Sequence, residues 1–171
     1  MSYSTFFFNR QGLIENFNNL GTKNVCAMVK ANAYGVGLEP VCKSLFGKAK
    51  FFGVATLNEG LKIRKFDKIT PILIVGIVEN FWLAFNNNLS ITIDNFEQLE
   101  TISEKLKNTK INKQLKIHIK INSGMNRFGI NNKKIIKKLI KIIKNNKKII
   151  FEGIFTHFST INEDEVFFEK Q

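Results

Sequence analysis

Short apolar segments alternate with longer segments of helical periodicity along nearly the whole chain, and this alternation restricts its fold more than any other feature. Strand-like runs rich in β-branched and aromatic residues lie at residues 25–29, 51–55, 72–75, 90–93, 115–121 and 149–155. Helical spacing follows each of them, at residues 38–46, 58–66, 79–86, 94–106, about 132–143 and 162–171, and a further helix is predicted at residues 11–20. Asp94 is predicted to cap the fourth of these helices, and Asn131 or Asn132 the fifth. Six such repeats predict an α/β chain with a parallel sheet and right-handed crossovers.

Two architectures fit six βα repeats. One is a doubly wound open sheet, and the other is a (β/α)8 barrel of the TIM type that is incomplete, with about six of its eight βα units. Periodicity alone does not choose between them. The length of 171 residues predicts a single domain over residues 1–171. The first strand, residues 25–29, is expected to be buried, with Cys26 in the core.

The net charge of +12 raises the question of nucleic-acid binding, which the composition argues against. Arginine, the residue that suits phosphate and base recognition, supplies only three of the 26 basic residues, so the lysines are interpreted as a solvated surface. Two cysteines indicate no disulfide framework and fit the reducing cytoplasm. No metal site is expected, and His118 lies in no motif and is assigned no role. Neither a signal peptide nor a membrane span is predicted.

The segment Val-Lys-Ala-Asn-Ala-Tyr-Gly-Val-Gly at residues 29–37 carries the most chemistry. It places Lys30 at the carboxyl end of a predicted buried strand, where an ammonium is costly unless its pKa falls. A desolvated, neutral lysine is what Schiff-base chemistry requires. Tyr34 follows, and two glycines would let the backbone approach a ligand closely. From spacing alone, a lysine that extends past the strand end into solvent is the favoured interpretation.

This segment resembles the cofactor-attachment motif of alanine racemases, V-K-A-N-A-Y-G-H-G, at eight of its nine positions. Two further segments resemble the family in the same order. Residues 120–129 are similar to K-x-D-T-G-M-x-R-x-G, and residues 153–160 are similar to G-x-x-T-H-F-A-x. The resemblance extends over about residues 11–165 and implies the incomplete barrel and pyridoxal 5'-phosphate (PLP) as cofactor.

The resemblance also implies roles for individual residues. Lys30 would bind PLP covalently and act as one of two bases at the substrate α-carbon, while Tyr34 would hydrogen-bond the cofactor phosphate. Lys120 matches a position that is often carbamylated, and the resulting anion would hold Arg127. Arg127 would assist catalysis beside the PLP phenolic oxygen and the substrate carboxylate, and His157 would lie beside the pyridine ring. Lys30, Arg127 and His157 fall at or just past predicted strand ends, where a βα barrel builds its active site.

Some positions depart from the family pattern or allow a plainer interpretation. Val36 replaces the usual histidine, and Asn122 and Ser123 replace the common Asp-Thr pair, which would weaken local hydrogen bonding or mark a divergent member. Without the motif, Lys120 would be an ordinary surface lysine and His157 a structural histidine.

The resemblance implies an isomerase that interconverts L-alanine and D-alanine, with D-alanine supplied to peptidoglycan. Family members are about twice as long and form homodimers in which a C-terminal β domain supplies the second base, a tyrosine. The sequence therefore predicts a truncated or split racemase that needs a second polypeptide, such as a separate C-terminal half. The alternatives are a racemase for serine or another amino acid, a non-catalytic PLP-binding barrel module, and a degenerate fragment without function.

Overall fold

The computed structural model describes residues 6–22, 24–160 and 164–171. The chain forms two compact units, Met1–Val78 and Glu79–Gln171. The described part of the first unit contains α1 (Arg10–Asn18), β1 (Cys26–Met28), α2 (Lys30–Tyr34), α3 (Leu38–Leu45), β2 (Phe51–Val54), α4 (Leu57–Phe66) and β3 (Ile72–Ile74). That of the second contains α5 (Phe81–Asn86), β4 (Ser90–Ile93), α6 (Phe96–Lys107), β5 (Leu115–Lys120), α7 (Lys133–Lys144), β6 (Ile149–Phe155) and α8 (Glu165–Lys170).

In the first unit, three strands pair in parallel in the order β1-β2-β3. Phe52 lies opposite Ala27 on one side and Ile72 on the other. The side chains of Phe52, Ile63 and Ile72 are fully buried, and burial of each such side chain contributes about 1.5–3 kcal/mol. The strands follow chain order without a reversal, as consecutive units of a βα barrel do.

The second unit repeats this arrangement with β4, β5 and β6, again parallel and in chain order. Ile91 of β4 lies opposite Ile117 of β5, and Leu99 of α6 and Leu139 of α7 are fully buried. The register between β5 and β6 shifts between Ile117 and His118. Throughout residues 6–22, 24–160 and 164–171, no helix has the length and apolar character that a membrane span requires.

Side-chain caps define where the helices begin. A capping box formed by Thr56 and Glu59 starts α4, and Asn132, one of the two predicted candidates, caps α7. The prediction that Asp94 caps α6 is wrong, because the side chain of Asn95 accepts the N–H of Gln98 at 2.8 Å. Asp94 lies one residue too early for that bond and instead accepts from the amide of Asn95 at 2.9 Å.

The prediction of a fully buried first strand is also wrong. Cys26 and Met28 of β1 are exposed, whereas Val29, just past the strand, is buried. In the register of β1 and β2, Met28 lies opposite Gly53, which has no side chain to cover it. Cys26 is therefore an exposed thiol on an open sheet face and not a core residue.

Candidate functional site

Lys30 is separated from the end of β1 by one residue, Val29, and begins α2. The strand end is fixed by Val29, which is 1% exposed and whose N–H donates to the carbonyl of Gly53 at 2.8 Å. Lys30 is half-buried, and its Nζ lies 5.8 Å from the centre of the Tyr34 ring. Lys30 and Tyr34, which the sequence assigns to one site, therefore lie side by side on one segment.

That segment is a left-handed helical turn, which the sequence did not predict. Ala31, Asn32, Ala33 and Tyr34 have φ angles of 50° to 56°. A residue with a Cβ loses about 1–2 kcal/mol in this conformation, so four in succession are unfavourable without support. Support within the turn comes from the N–H of Ala33, which donates to the carbonyl of Val29, and from Gly35, which donates to Ala31, both at 2.9 Å.

Two polar side chains secure the turn at its ends, and the sequence analysis missed both. The Glu59 carboxylate accepts the N–H of Ala31 at 2.7 Å. It also accepts the N–H groups of Ala55 and Thr56, just past the end of β2. The Asn32 side chain accepts the N–H of Leu38, the first residue of α3, at 2.9 Å. The Thr-x-x-Glu pattern at residues 56–59 signals a helix cap, but nothing local indicates a bond to a residue 28 positions away.

Tyr34 is 64% exposed and lies on the wall of an open cleft. The cleft has a volume of about 560 Å³ and a mostly apolar lining that includes Met28, Val36 and the aromatic residues at 6–8. This volume falls within the range of small-ligand sites. Lys30 is not among the residues that line this cleft.

The second unit contains the other three predicted site residues, Lys120, Arg127 and His157. Lys120, the last residue of β5, is only 4% exposed. Its Nζ lies 4.8 Å from the centre of the Phe155 ring and 5.8 Å from that of Phe128. Burial lowers the pKa of Lys120, and the nearby charge of Arg127 lowers it further. Within the described residues no carboxylate forms an ion pair with this ammonium that would offset the shift. The plain surface interpretation of Lys120 is excluded by its burial.

Arg127 and His157 lie on the two loops that follow β5 and β6. Both side chains are exposed, and the guanidinium carbon of Arg127 lies 5.4 Å from the centre of the Phe128 ring. The loops are joined through Thr156, whose Oγ1 donates to the carbonyl of Ile121 at 2.9 Å. Its Oγ1 also lies 2.7 Å from the Ser123 hydroxyl, so the residue before His157 is tied to the loop that carries Arg127.

Two residues of the loop after β5, Asn122 and Ser123, depart from the family pattern, and the side chains of both form hydrogen bonds. The carboxamide oxygen of Asn122 accepts the N–H groups of Gly124 and Asn126 at 3.2 and 3.0 Å. Ser123 makes the contact with Thr156 already described. Asn122 and Ser123 therefore both retain side-chain oxygens that the loop uses in its hydrogen bonds.

His118 belongs to a polar cluster one layer below Lys120 on the same side of β5. Its Nε2 lies 3.0 Å from the Glu152 carboxylate, which also accepts from the Ser90 hydroxyl at 2.5 Å and lies 3.4 Å from the Lys116 ammonium. Burial raises the pKa of Glu152, but the hydrogen bonds from His118 and Ser90 and the charge of Lys116 lower it by more, so the net shift is downward. This cluster joins three neighbouring strands.

Comparisons with known proteins agree with this geometry. Residues 9–171 match the family model described as alanine racemase, N-terminal domain. The chain is 42% identical over 154 residues to an alanine racemase of Lactobacillus acidophilus, a match that covers 87% of this chain and 40% of that protein.

Two solved structures extend the comparison. An alanine racemase from E. faecalis is similar with a TM-score of 0.87 at 33% identity, covering 95% of this chain and 46% of that one. A histidine racemase from Leuconostoc mesenteroides is similar with a TM-score of 0.80 at 26% identity, covering 88% of this chain and 42% of that one. The chain thus spans less than half the length of these relatives, and the predicted fold class, an α/β chain with an incomplete (β/α)8 barrel, is confirmed.

Proposed function

Because the chain belongs to the alanine racemase family, we propose that it is the N-terminal, PLP-binding part of a racemase that interconverts L-alanine and D-alanine. The observation that carries the proposal is the left-handed turn after β1, which holds Lys30 and Tyr34 side by side. Product D-alanine would serve peptidoglycan synthesis in the cytoplasm. We also propose that residues 1–171 form a single domain of that racemase.

The donor chemistry of the chain fits PLP. Lys30 offers a primary amine just past a strand end, and Tyr34 offers a hydroxyl on the same turn, with the Lys30 Nζ 5.8 Å from the centre of the Tyr34 ring. When bound, PLP supplies an electron sink for the negative charge that develops at the substrate α-carbon. The Lys30 amine would hold the cofactor and exchange a proton with that carbon on one face, while Tyr34 would donate to the cofactor phosphate.

The second unit supplies groups for the substrate and the ring. We propose that Arg127, as a catalytic residue, binds the substrate carboxylate and the cofactor's phenolic oxygen through its guanidinium. His157 would belong to the hydrogen-bond network at the pyridine ring. The contacts of Thr156 and Ser123 support both assignments, since they fix the two loops on which these side chains lie.

Lys120 is proposed to be carbamylated. In that reaction a neutral amine attacks CO₂, an N–C bond forms, and one proton is released to solvent, which leaves an anionic carbamate. The lowered pKa of Lys120 supports the step because it increases the neutral fraction. The product would carry a negative charge that attracts Arg127. A ¹³C carbamate resonance after incubation with ¹³C-bicarbonate, lost in Lys120→Met, is the expected result; a spectrum unchanged by that substitution would contradict it.

Racemisation also needs a base on the opposite face of the α-carbon, and Lys30 serves only one face. We propose that residues outside 1–171 supply this second base, either within a longer chain that forms a homodimer or from a separate C-terminal polypeptide. The similarity to a histidine racemase favours a second candidate, a racemase of another amino acid within the same family.

Reduction with borohydride in the presence of PLP, followed by peptide mass analysis, tests the cofactor assignment. A single adduct on Lys30 is expected in the wild-type chain and in Lys62→Arg, a matched control on the surface of α4. Lys30→Arg should abolish the adduct. Labelling scattered over the surface lysines, with Lys30 no more reactive than Lys62, would contradict the proposal.

A further inference from the structure

Glu59, the third residue of α4, makes more backbone contacts than a helix cap requires. Its Oε1 accepts the N–H of Ala31 at 2.7 Å, and its Oε2 accepts those of Ala55 and Thr56 at 2.8 and 3.1 Å. One carboxylate therefore joins the residue after Lys30 to the loop after β2.

The capping box accounts for only part of this arrangement. Thr56 accepts the N–H of Glu59 at 3.3 Å, and Glu59 accepts the N–H of Thr56, which is the reciprocal pattern of a capping box. The bond to Ala31 lies outside it. The nitrogen of Ala31 shares a peptide plane with the carbonyl of Lys30, so the Glu59 bond fixes the orientation of that plane. It thereby limits the rotation about the Lys30 Cα–C bond and the direction in which the turn leaves the strand.

The left-handed turn depends on such outside support. Successive positive φ angles at residues that carry a Cβ persist only where surrounding contacts define them. Glu59 accepts the N–H of the first of these residues, Ala31. On the other side of the turn, Asn32 accepts the N–H of Leu38 and so joins the turn to α3. Because its acceptor is a carboxylate, the bond to Ala31 is stronger than one between neutral groups.

We propose that Glu59 is a positioning residue that holds the turn in the conformation in which Lys30 and Tyr34 face a common ligand. This inference rests on the proposed function, since it assigns Glu59 a purpose through those two residues. Glu59 touches neither of their side chains in the contacts given by the structure and acts through the backbone of Ala31.

The test compares Glu59→Gln with Thr56→Ala in the full chain. Glutamine matches the shape of glutamate but places an NH₂ donor where one of the carboxylate oxygens accepts. Thr56→Ala removes the other half of the capping box and leaves the bond to Ala31. Two quantities are measured: the borohydride-trapped PLP labelling of Lys30 relative to Lys62 in the same molecule, and the hydrogen exchange rate of the Ala31 amide.

In Glu59→Gln the labelling ratio is expected to fall about tenfold and Ala31 exchange to rise about tenfold, as loss of a charge-assisted hydrogen bond implies. Thr56→Ala should change neither quantity by more than about twofold. Equal losses in both variants would mean that Glu59 only caps α4 and would overturn the inference, as would an unchanged ratio in Glu59→Gln. If Glu59→Gln does not fold, Glu59→Asp, whose side chain is too short to span all three bonds, should show the same selective losses.

The two proposals fail in different ways. A wild-type chain that does not label selectively at Lys30 overturns the proposed function. Ala31 exchange still decides whether Glu59 holds the turn, because it requires no cofactor. A wild-type chain that labels at Lys30, together with a Glu59→Gln variant that labels equally well, overturns the inference alone.

Discussion

Gly129→Ala is expected to destabilise the chain markedly, because Gly129 combines an unusual backbone angle with close neighbours. Its φ is +118°, and an added Cβ would lie 2.9 Å from the Cγ of Lys120 and 3.0 Å from the backbone nitrogen of Asn122. The position cannot shift freely, since the next residue, Ile130, pairs with Lys120 and Asn122 through backbone hydrogen bonds of 2.9 and 3.0 Å.

The magnitude follows from comparison with Gly21. Gly21 has a φ of +66° and no atom within 4 Å of an added Cβ, so Gly21→Ala carries only the cost of a left-handed residue, about 1 kcal/mol. The φ of Gly129 lies outside the small left-handed region, and a residue with a Cβ at this φ costs about 1–3 kcal/mol. The close contacts of the added Cβ add about 1–3 kcal/mol. We therefore expect Gly129→Ala to cost about 3 kcal/mol, about 2 kcal/mol more than Gly21→Ala.

Urea denaturation followed by far-UV circular dichroism measures both variants. The fluorescence of Trp82, the single tryptophan of the sequence, reports in parallel from the second unit. The midpoint should fall further in Gly129→Ala than in Gly21→Ala, with the slope of the transition unchanged in both. Equal losses in the two variants would refute the steric reasoning, because both would then reflect the backbone angle alone.

Three further substitutions test other contacts. The pKa of Glu152 in the folded chain lies below its ordinary value of 4.5. The ionised carboxylate, bonded to groups such as His118, therefore stabilises the fold above pH 4.5, and this stabilisation is lost as the pH falls through the folded-state pKa. Glu152→Gln should flatten that acid limb in urea titrations between about pH 3 and 6, and an unchanged pH dependence would contradict the pairing. Asn146 is 4% exposed and donates to the carbonyl and the hydroxyl of Ser103 at 3.0 and 2.9 Å. Asn146→Ala should therefore lower the free energy of unfolding, measured in urea, by about 2 kcal/mol. The control Asn145→Ala, at an exposed position, should lower it by less than about 0.5 kcal/mol. Asn32→Ala should lower the free energy of unfolding by about 1 kcal/mol, since it removes the bond at the start of α3; no loss in the same assay would show that this bond is not needed.

Much of the fold could be predicted because local patterns encode it. The alternating run at residues 115–121 became β5, and the Asn132 cap began α7 as its sequence indicates. The first strand was predicted less well. An apolar run indicates a strand but does not show what covers it. Cys26 and Met28 are both exposed, and Met28 lies opposite Gly53, which contributes no side chain.

The candidate site was predicted at the level of residue types and motifs. The placement of Lys30 and Tyr34 on one segment agrees with the motif, and the burial of Lys120 agrees with a functional role. The bonds that hold these residues were not predicted. Glu59 was not recognised as a residue of the site, and His118 belonged to no motif although it pairs with Glu152.

The sequence by itself determined the order of strands and helices and which side chains are candidates for the chemistry, because hydrophobic periodicity, caps and motifs act over a few residues. Only the tertiary structure decided how those side chains are held. In the left-handed turn after β1, the N–H of Ala31 is bonded by a carboxylate 28 residues away in the chain. The pKa of Lys120 is lowered because residues from neighbouring segments, among them Phe155, exclude water from it. Both effects depend on contacts between residues far apart in the chain, which no local pattern records.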